Sequence, residues 1–138
     1  SLQRIHKILE EKYPHIWFQP NKVGVTPFPA SEKEFEEIAD ILEQYKEELK
    51  DVEVYRHVDS FDIVPAGINK GVGVSYLLKK MGILAEEVIA VGDGVNDYPM
   101  FDLAGYSIGV NVKEERVDKN CKNTLEMLQF TLEYIKNR

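Results

Sequence analysis

Two carboxylates lie in a short glycine-containing stretch, AVGDGVNDYPM, at residues 90–100. Asp93 follows directly on an apolar run, and Asp97 comes immediately after Asn96. Carboxylate oxygens, water and a phosphate oxygen together make the octahedral oxygen shell that Mg²⁺ prefers. The stretch therefore indicates a magnesium site built on Asp93 and Asp97. The alternative is purely structural, with Asp97 as a helix N-cap and Asp93 as a turn residue.

The residues around the two acids also suit a bound anion. Gly92 and Gly94 predict a sharp turn and a close approach of the backbone to a ligand. Asn96 and Asp97 are expected at the start of the next helix, where free backbone N–H groups favour anions. In open parallel sheets, ligands bind beyond the carboxyl ends of the strands, and this stretch follows such a strand.

The second half of the chain alternates between helices and strands that would position this stretch. Asn69 predicts the cap of a helix over residues 70–81, and Gly82 predicts its end. Residues 88–91 are all apolar, as in a strand buried on both faces of a parallel sheet. The remaining expected elements are a helix at 97–104, a strand at 106–110 and a helix at 123–136. This order is typical of a parallel β/α fold.

The first half has a different pattern, in which two helices accompany short antiparallel strands. Apolar spacing predicts helices at 2–12 and 32–49, and Ser31 with Glu34 forms a capping box for the second. Strands are expected at 16–19, 22–28, 52–58 and 61–65. Residues 1–65 therefore indicate an α+β unit.

Composition excludes several classes of partner. The net charge of -7 argues against nucleic acid and membrane surfaces, since both require a basic face. No apolar run approaches the roughly 20 residues that cross a bilayer. The single cysteine, Cys121, excludes an intrachain disulfide and fits a reducing compartment, so we expect a cytoplasmic protein with a buried or inert thiol.

Two motifs at a fixed separation resemble those of haloacid dehalogenase superfamily phosphatases. Lys70 in "NKG" resembles the third motif of that family, and "GDGVND" at 92–97 resembles the fourth, 23 residues from Lys70 to Asp93. The resemblance covers roughly residues 62–111. It is strongest to the subgroup with a late-inserted α+β cap, which includes Cof-type sugar phosphatases, sucrose-phosphate phosphatases and archaeal phosphoglycolate phosphatases.

This resemblance implies a fold and a reaction. Residues 1–65 would be the α+β cap that selects the substrate, and residues 66–138 the C-terminal part of a Rossmann-like α/β core with a parallel sheet. The implied activity is Mg²⁺-dependent hydrolysis of small phosphorylated metabolites, such as sugar phosphates or phosphoglycolate.

The resemblance also implies a role for each matching residue. Asp93 would ligate Mg²⁺, and Asp97 would be a direct or water-mediated ligand. Lys70 would neutralise the phosphate and the nucleophile, and Asn96 could hydrogen-bond the phosphoryl group. A lysine at a helix N-terminus is unfavourable with the helix dipole unless an anion binds there, which agrees with this role.

One part of the family pattern is missing from these residues. Family members begin with an aspartate nucleophile in D-x-D-x-[TV], and this sequence contains no D-x-D. We therefore expect that another segment supplies the nucleophile, and that this chain alone is inactive. Residues 88–91 and 106–110 would then lack a neighbouring strand and leave an exposed sheet edge. A separate N-terminal core segment, a rearranged or swapped homo-oligomer, or a larger parent protein is expected to cover that edge.

Two other functions remain open from the sequence. The chain could be a non-catalytic remnant or regulatory subunit that retains a cation or phosphate site. It could also be a fragment of a P-type ATPase, since "VGDGVND" is similar to the hinge motif of those pumps.

Overall fold

The computed structural model describes all 138 residues and divides them into two compact units, Ser1–Ile68 and Asn69–Arg138. The boundary falls three residues after the end of the predicted α+β region. The predicted α/β fold class is confirmed: helices accompany strands in both units, and the second unit contains a parallel sheet. None of the helices is both long enough and apolar enough to cross a bilayer.

The first unit contains two helices and two small antiparallel sheets. Its elements are α1 (Leu2–Lys12), β1 (Trp17–Phe18), β2 (Pro27–Phe28), α2 (Glu32–Gln44), β3 (Val52–Arg56) and β4 (Phe61–Pro65). Strand β1 pairs with β2 and β3 pairs with β4, while a single bridge joins Val25 to Ile63 beside β4. The apolar faces of both helices and β4 share one core, whose fully buried members include Ile5, Leu9, Ile38 and Ile63.

Helix α2 begins as predicted but ends early. The Ser31 hydroxyl accepts the backbone N–H of Glu34 at 3.2 Å, as a capping residue should. The predicted helix extended to residue 49, whereas α2 ends at Gln44 and residues 45–48 form turns. Leu49 is nevertheless buried, so its apolar spacing reflects the core and not a further helical turn.

The second unit contains a three-stranded parallel sheet with helices. Its elements are α3 (Lys70–Met81), β5 (Ile89–Gly92), α4 (Tyr98–Leu103), β6 (Tyr106–Val110), β7 (Lys119–Cys121) and α5 (Thr124–Lys136). The strand order is β5-β6-β7. Gly92 pairs with Gly109 at the carboxyl ends of β5 and β6, so the loops that follow these two strands leave the same edge of the sheet.

Two expectations about this sheet are wrong. The first is that β6 lacks a neighbouring strand: β7, which was missed because Lys119 and Asn120 give it no apolar alternation, pairs along its other side, and only β5 and β7 are edge strands. The second is that residues 88–91 are buried on both faces of the sheet: in β5 only Ala90 is buried, whereas Ser107, Ile108 and Gly109 of the central strand β6 are all buried.

Candidate functional site

Lys70 is placed by the capped start of helix α3. The Asn69 side chain accepts the backbone N–H of Val72 at 3.0 Å, and this cap fixes Lys70 as the first helical residue. At the other end, Gly82 adopts a left-handed conformation with φ 68°, which closes the helix as predicted. The Lys70 side chain is about half exposed, so its ammonium is accessible to solvent.

The loop after β5 is organised by the carboxylate of Asp97. Residues Val95–Asp97 form a turn of 3₁₀ helix that leads into α4. Asp97 Oδ2 accepts the backbone N–H of Asp93 at 2.8 Å and that of Gly94 at 3.0 Å. Asp97 is 2% exposed, and its side chain does not cap α4. The carboxylate therefore turns back into the loop and holds its backbone, so it is not the simple helix N-cap that the structural alternative supposed.

Lys70 and Asp97 form an ion pair. The Lys70 ammonium donates to Asp97 Oδ1, the carboxylate oxygen that the loop backbone leaves unused. The pair joins the start of α3 to the loop after β5, although the two residues lie 27 positions apart. It brings two of the predicted site residues into contact and fully engages the buried carboxylate.

Two glycines make this arrangement possible through close approach, not through backbone conformation. A side chain at Gly92 would overlap the Asp97 carboxylate, and one at Gly71 would overlap the backbone carbonyl of Pro99. The chain bends at residues 93–94, as predicted, but neither Gly92 nor Gly94 has a positive φ. A glycine at position 92 is required because a side chain there would overlap the Asp97 carboxylate, not because of a left-handed backbone conformation.

Asp93 is the acid that faces outward. Asp93 is exposed to solvent, and its carboxylate forms no ion pair. Asn96 is half-buried on the 3₁₀ turn. No three His, Cys, Asp or Glu side chains come together in a way that could hold a metal ion. Mg²⁺ often binds proteins through only one or two carboxylates and keeps several waters, so Asp93 fits such a site as its outward-facing ligand.

A second interaction, which the sequence did not indicate, braces helix α4. Arg116 donates to both carboxylate oxygens of Asp102 at 3.1 Å, and its guanidinium lies 4.6 Å from the centre of the Tyr98 ring. Tyr98 is the residue directly after Asp97, so these contacts support the helix into which the loop leads. No motif or periodic pattern connects Arg116 to Asp102, and only the fold brings them together.

Cys121 is the last residue of strand β7. The thiol is buried, and burial is the main cause that raises its pKa above the ordinary value. A buried thiol with a raised pKa is a poor nucleophile and a poor metal ligand. The expectation of a buried cysteine is confirmed.

Comparison with known proteins identifies the fold and its relatives. Residues 3–129 match the family model described as haloacid dehalogenase-like hydrolase. The chain is 38% identical over 86 residues to a phosphoglycolate phosphatase of Methanosarcina mazei, which covers 61% of this chain and 36% of that protein. It is 35% identical over 86 residues to 5-amino-6-(5-phospho-D-ribitylamino)uracil phosphatase of Bacillus subtilis, covering 59% of this chain and 30% of that protein.

A solved structure shows the same fold at low sequence identity. The sucrose-phosphatase of Synechocystis, crystallised with sucrose and phosphate, superposes with a TM-score of 0.69 over 96% of this chain and 62% of that chain, at 17% identity. The present chain spans about a third of the length of the two curated relatives named above. Their activities therefore belong to longer proteins.

Proposed function

The chain belongs to the haloacid dehalogenase-like hydrolases, and on that premise we propose that it forms the cation- and phosphate-binding part of a Mg²⁺-dependent phosphomonoester hydrolase. The observation that carries the proposal is the Lys70–Asp97 ion pair. Asp97 accepts the Lys70 ammonium and the backbone N–H of Asp93, so it ties both residues to the loop after β5. The Asp93 residue is exposed and the Lys70 side chain is about half exposed, so a cation can reach the carboxylate and a phosphate can reach the ammonium.

Each residue has a separate task in this proposal. Asp93 would hold Mg²⁺, which supplies Lewis-acid charge stabilisation to a transferring phosphoryl group when bound. The Lys70 ammonium has three donors, so it can bind a phosphate oxygen while it still pairs with Asp97. Asn96 can donate its side-chain amide to the same group. Asp97 would act mainly by positioning Lys70 and the loop. We also propose that it contacts Mg²⁺ through a water molecule.

We further propose that the aspartate nucleophile comes from outside these 138 residues. The sequence holds no D-x-D pair, and β5 is an edge strand with one side unpaired within its sheet. Helix α5 has no buried residue, and its apolar side chains Leu125, Leu128, Leu132 and Ile135 are all more than half exposed. An added strand with its helix would complete this sheet and bring a nucleophile to its carboxyl edge. On this account the 138-residue chain alone is inactive.

The substrate class follows from the relatives and is proposed only at that level. Phosphoglycolate and a phosphorylated ribitylaminouracil are the compounds named for the two curated relatives. Both are small phosphorylated metabolites, and we propose a substrate of this class for the complete enzyme.

The test is hydrolysis of p-nitrophenyl phosphate with Mg²⁺, by the chain alone and after co-expression with the N-terminal segment of the Methanosarcina relative. We expect turnover only with the added segment, and loss of that turnover in Asp93→Asn. The matched control is Asp102→Asn, an equal change of charge on the exposed face of α4. Turnover by the chain alone would contradict the proposal that the nucleophile comes from outside these 138 residues.

A second candidate function is a non-catalytic cation-binding protein, which the absence of a D-x-D pair also favours. Titration calorimetry with Mg²⁺ separates the two. Binding that depends on Asp93, without turnover in the presence of any added core segment, would favour the non-catalytic function. Absence of both binding and turnover would contradict each of them.

A further inference from the structure

Strand β3, in the first unit, has an open edge. The only strand paired with it is β4. On the far side of β4, Ile63 exchanges both backbone hydrogen bonds with Val25, at 2.8 and 3.0 Å. Val54 lies directly opposite Ile63, so this is a pair whose backbone groups point away from each other. The N–H and C=O of Val54 therefore point to the open edge.

A groove of about 620 Å³ runs along this edge, between β3 and the carboxyl-terminal part of α2. Its apolar lining includes Leu42, Leu49, Val54 and Phe61. Val54 is 42% exposed, whereas the other three are buried. An apolar groove beside an unpaired strand edge is a suitable site for a further strand and its side chains.

The charges on the rim of this groove are self-complementary. Glu43, Lys46, Glu47 and Lys50 line it in alternating sign along the chain. If a second copy approaches across a two-fold axis, this segment meets itself in the opposite direction. Glu43 then faces the Lys50 of the second copy, and Lys46 faces its Glu47. Within one copy Lys46 already pairs with Glu43, and Lys50 with Glu47, each at 3.0 Å, so across the axis each lysine would gain a second glutamate.

The strand satisfies the same symmetry. A two-fold axis at Val54 pairs the N–H of each Val54 with the C=O of the other. It also places each Arg56 N–H opposite the Val52 carbonyl of the second copy, while the Val52 N–H is already bonded to the Leu49 carbonyl at 3.0 Å. Side chains opposite one another would be Val52 with Arg56 and Glu53 with Tyr55, so no like charges meet.

We propose that two copies of this chain associate through the β3 edge, forming a continuous four-stranded antiparallel sheet with the α2 ends packed across the seam. Such an interface is isologous, since the same residues serve on both sides. It lies entirely within the first unit and does not depend on the proposed phosphatase function.

Charge reversal on the rim tests the interface. Sedimentation velocity over about three decades of protein concentration should show a reversible dimer. Lys46→Glu and Glu47→Lys should each weaken it about tenfold, because each creates two like-charge contacts across the axis. The double variant Lys46→Glu/Glu47→Lys should restore it. The matched control is Lys33→Glu, which makes the same charge change on α2 away from the groove.

A backbone measurement tests the strand pairing itself. Amide hydrogen exchange at Val54 and Arg56 should slow as the protein concentration rises, and in Lys46→Glu this dependence should shift to higher concentration. A monomer throughout the concentration range would overturn the proposal. So would a dimer that neither single charge reversal weakens, or one in which the Val54 amide exchanges equally fast at all concentrations. Lys46 is largely exposed, so its variants should fold.

Discussion

Asp97 accepts the backbone N–H of Asp93 at 2.8 Å, so one acid of the GDGVND loop holds the backbone of the other. The same carboxylate pairs with Lys70. The two acids are therefore not equivalent: Asp97 is buried and engaged on both oxygens, whereas Asp93 is exposed. Asp97 therefore holds the backbone of the loop, and the Asp93 carboxylate is left accessible to a ligand.

Removing the charge of Asp97 should destabilise the second unit. In Asp97→Asn the buried acceptor of two backbone N–H groups is weakened and Lys70 loses its partner, at a cost of about 1–3 kcal/mol in the free energy of unfolding. Urea denaturation measures this change. In the control Asp102→Asn the carboxylate is 63% exposed, and a change within about 1 kcal/mol is expected. Equal losses in both variants would mean that the Asp97 bonds contribute no more than a surface pair.

Two glycine-to-alanine substitutions should have opposite effects. Gly92→Ala places a methyl group into the Asp97 carboxylate, and we expect a loss of about 1–3 kcal/mol in unfolding free energy. Gly73 lies within helix α3 with open space around it, so Gly73→Ala should stabilise by about 0.5–1 kcal/mol through helix propensity. Thermal denaturation of both variants checks the sign. A neutral Gly92→Ala would show that the loop can move away from Asp97.

Tyr13 should make unfolding depend on pH in alkaline solution. Burial, followed by its hydrogen bond to Glu37 at 3.0 Å, raises the pKa of Tyr13 to about 12 from 10.0. The folded chain then holds the proton more tightly than the unfolded chain, so this stabilisation is complete below pH 10 and is lost as the pH rises towards 12.

The comparison of two tyrosine variants isolates this effect. The urea midpoint should fall less between about pH 9 and about pH 11 in Tyr13→Phe than in the parent chain. Tyr76→Phe changes an exposed tyrosine, so its midpoint should fall as much as that of the parent chain. If the midpoint of Tyr13→Phe also fell as much, Tyr13 would not be the group responsible.

The lone thiol should report on opening of the parallel sheet. Cys121 is 1% exposed and its pKa is raised, so a thiol reagent at neutral pH should label the native chain far more slowly than the urea-unfolded chain. Labelling should accelerate in Asp97→Asn if loss of that carboxylate loosens the sheet. Rapid labelling of the native parent chain would contradict the buried position of Cys121.

The sequence predicted the elements best where local signals determine them. Helix α1 begins and ends at the expected residues, and α3 does so because Asn69 caps it and Gly82 ends it. Strand β6 was also located correctly, at residues 106–110 directly after Gly105. Strand β7 was not, because its residues are polar and only the neighbouring strand makes them extended.

The sequence named candidate residues for the site, but it did not predict their geometry. The motif spacing brought Lys70, Asp93, Asn96 and Asp97 together as candidates. It could not reveal that Asp97 faces inward, because that depends on a close approach at Gly92 and on a lysine 27 residues away. Their roles as ligands remain predictions for the experiments above.

The Lys70–Asp97 pair also bears on the order in which the proposed ligands would bind. The charges of Lys70 and Asp97 offset each other, so the exposed Asp93 leaves the three candidate residues with one net negative charge. On the proposed function, that charge would attract a divalent cation and repel a doubly charged phosphate monoester, so the cation would bind before the anion.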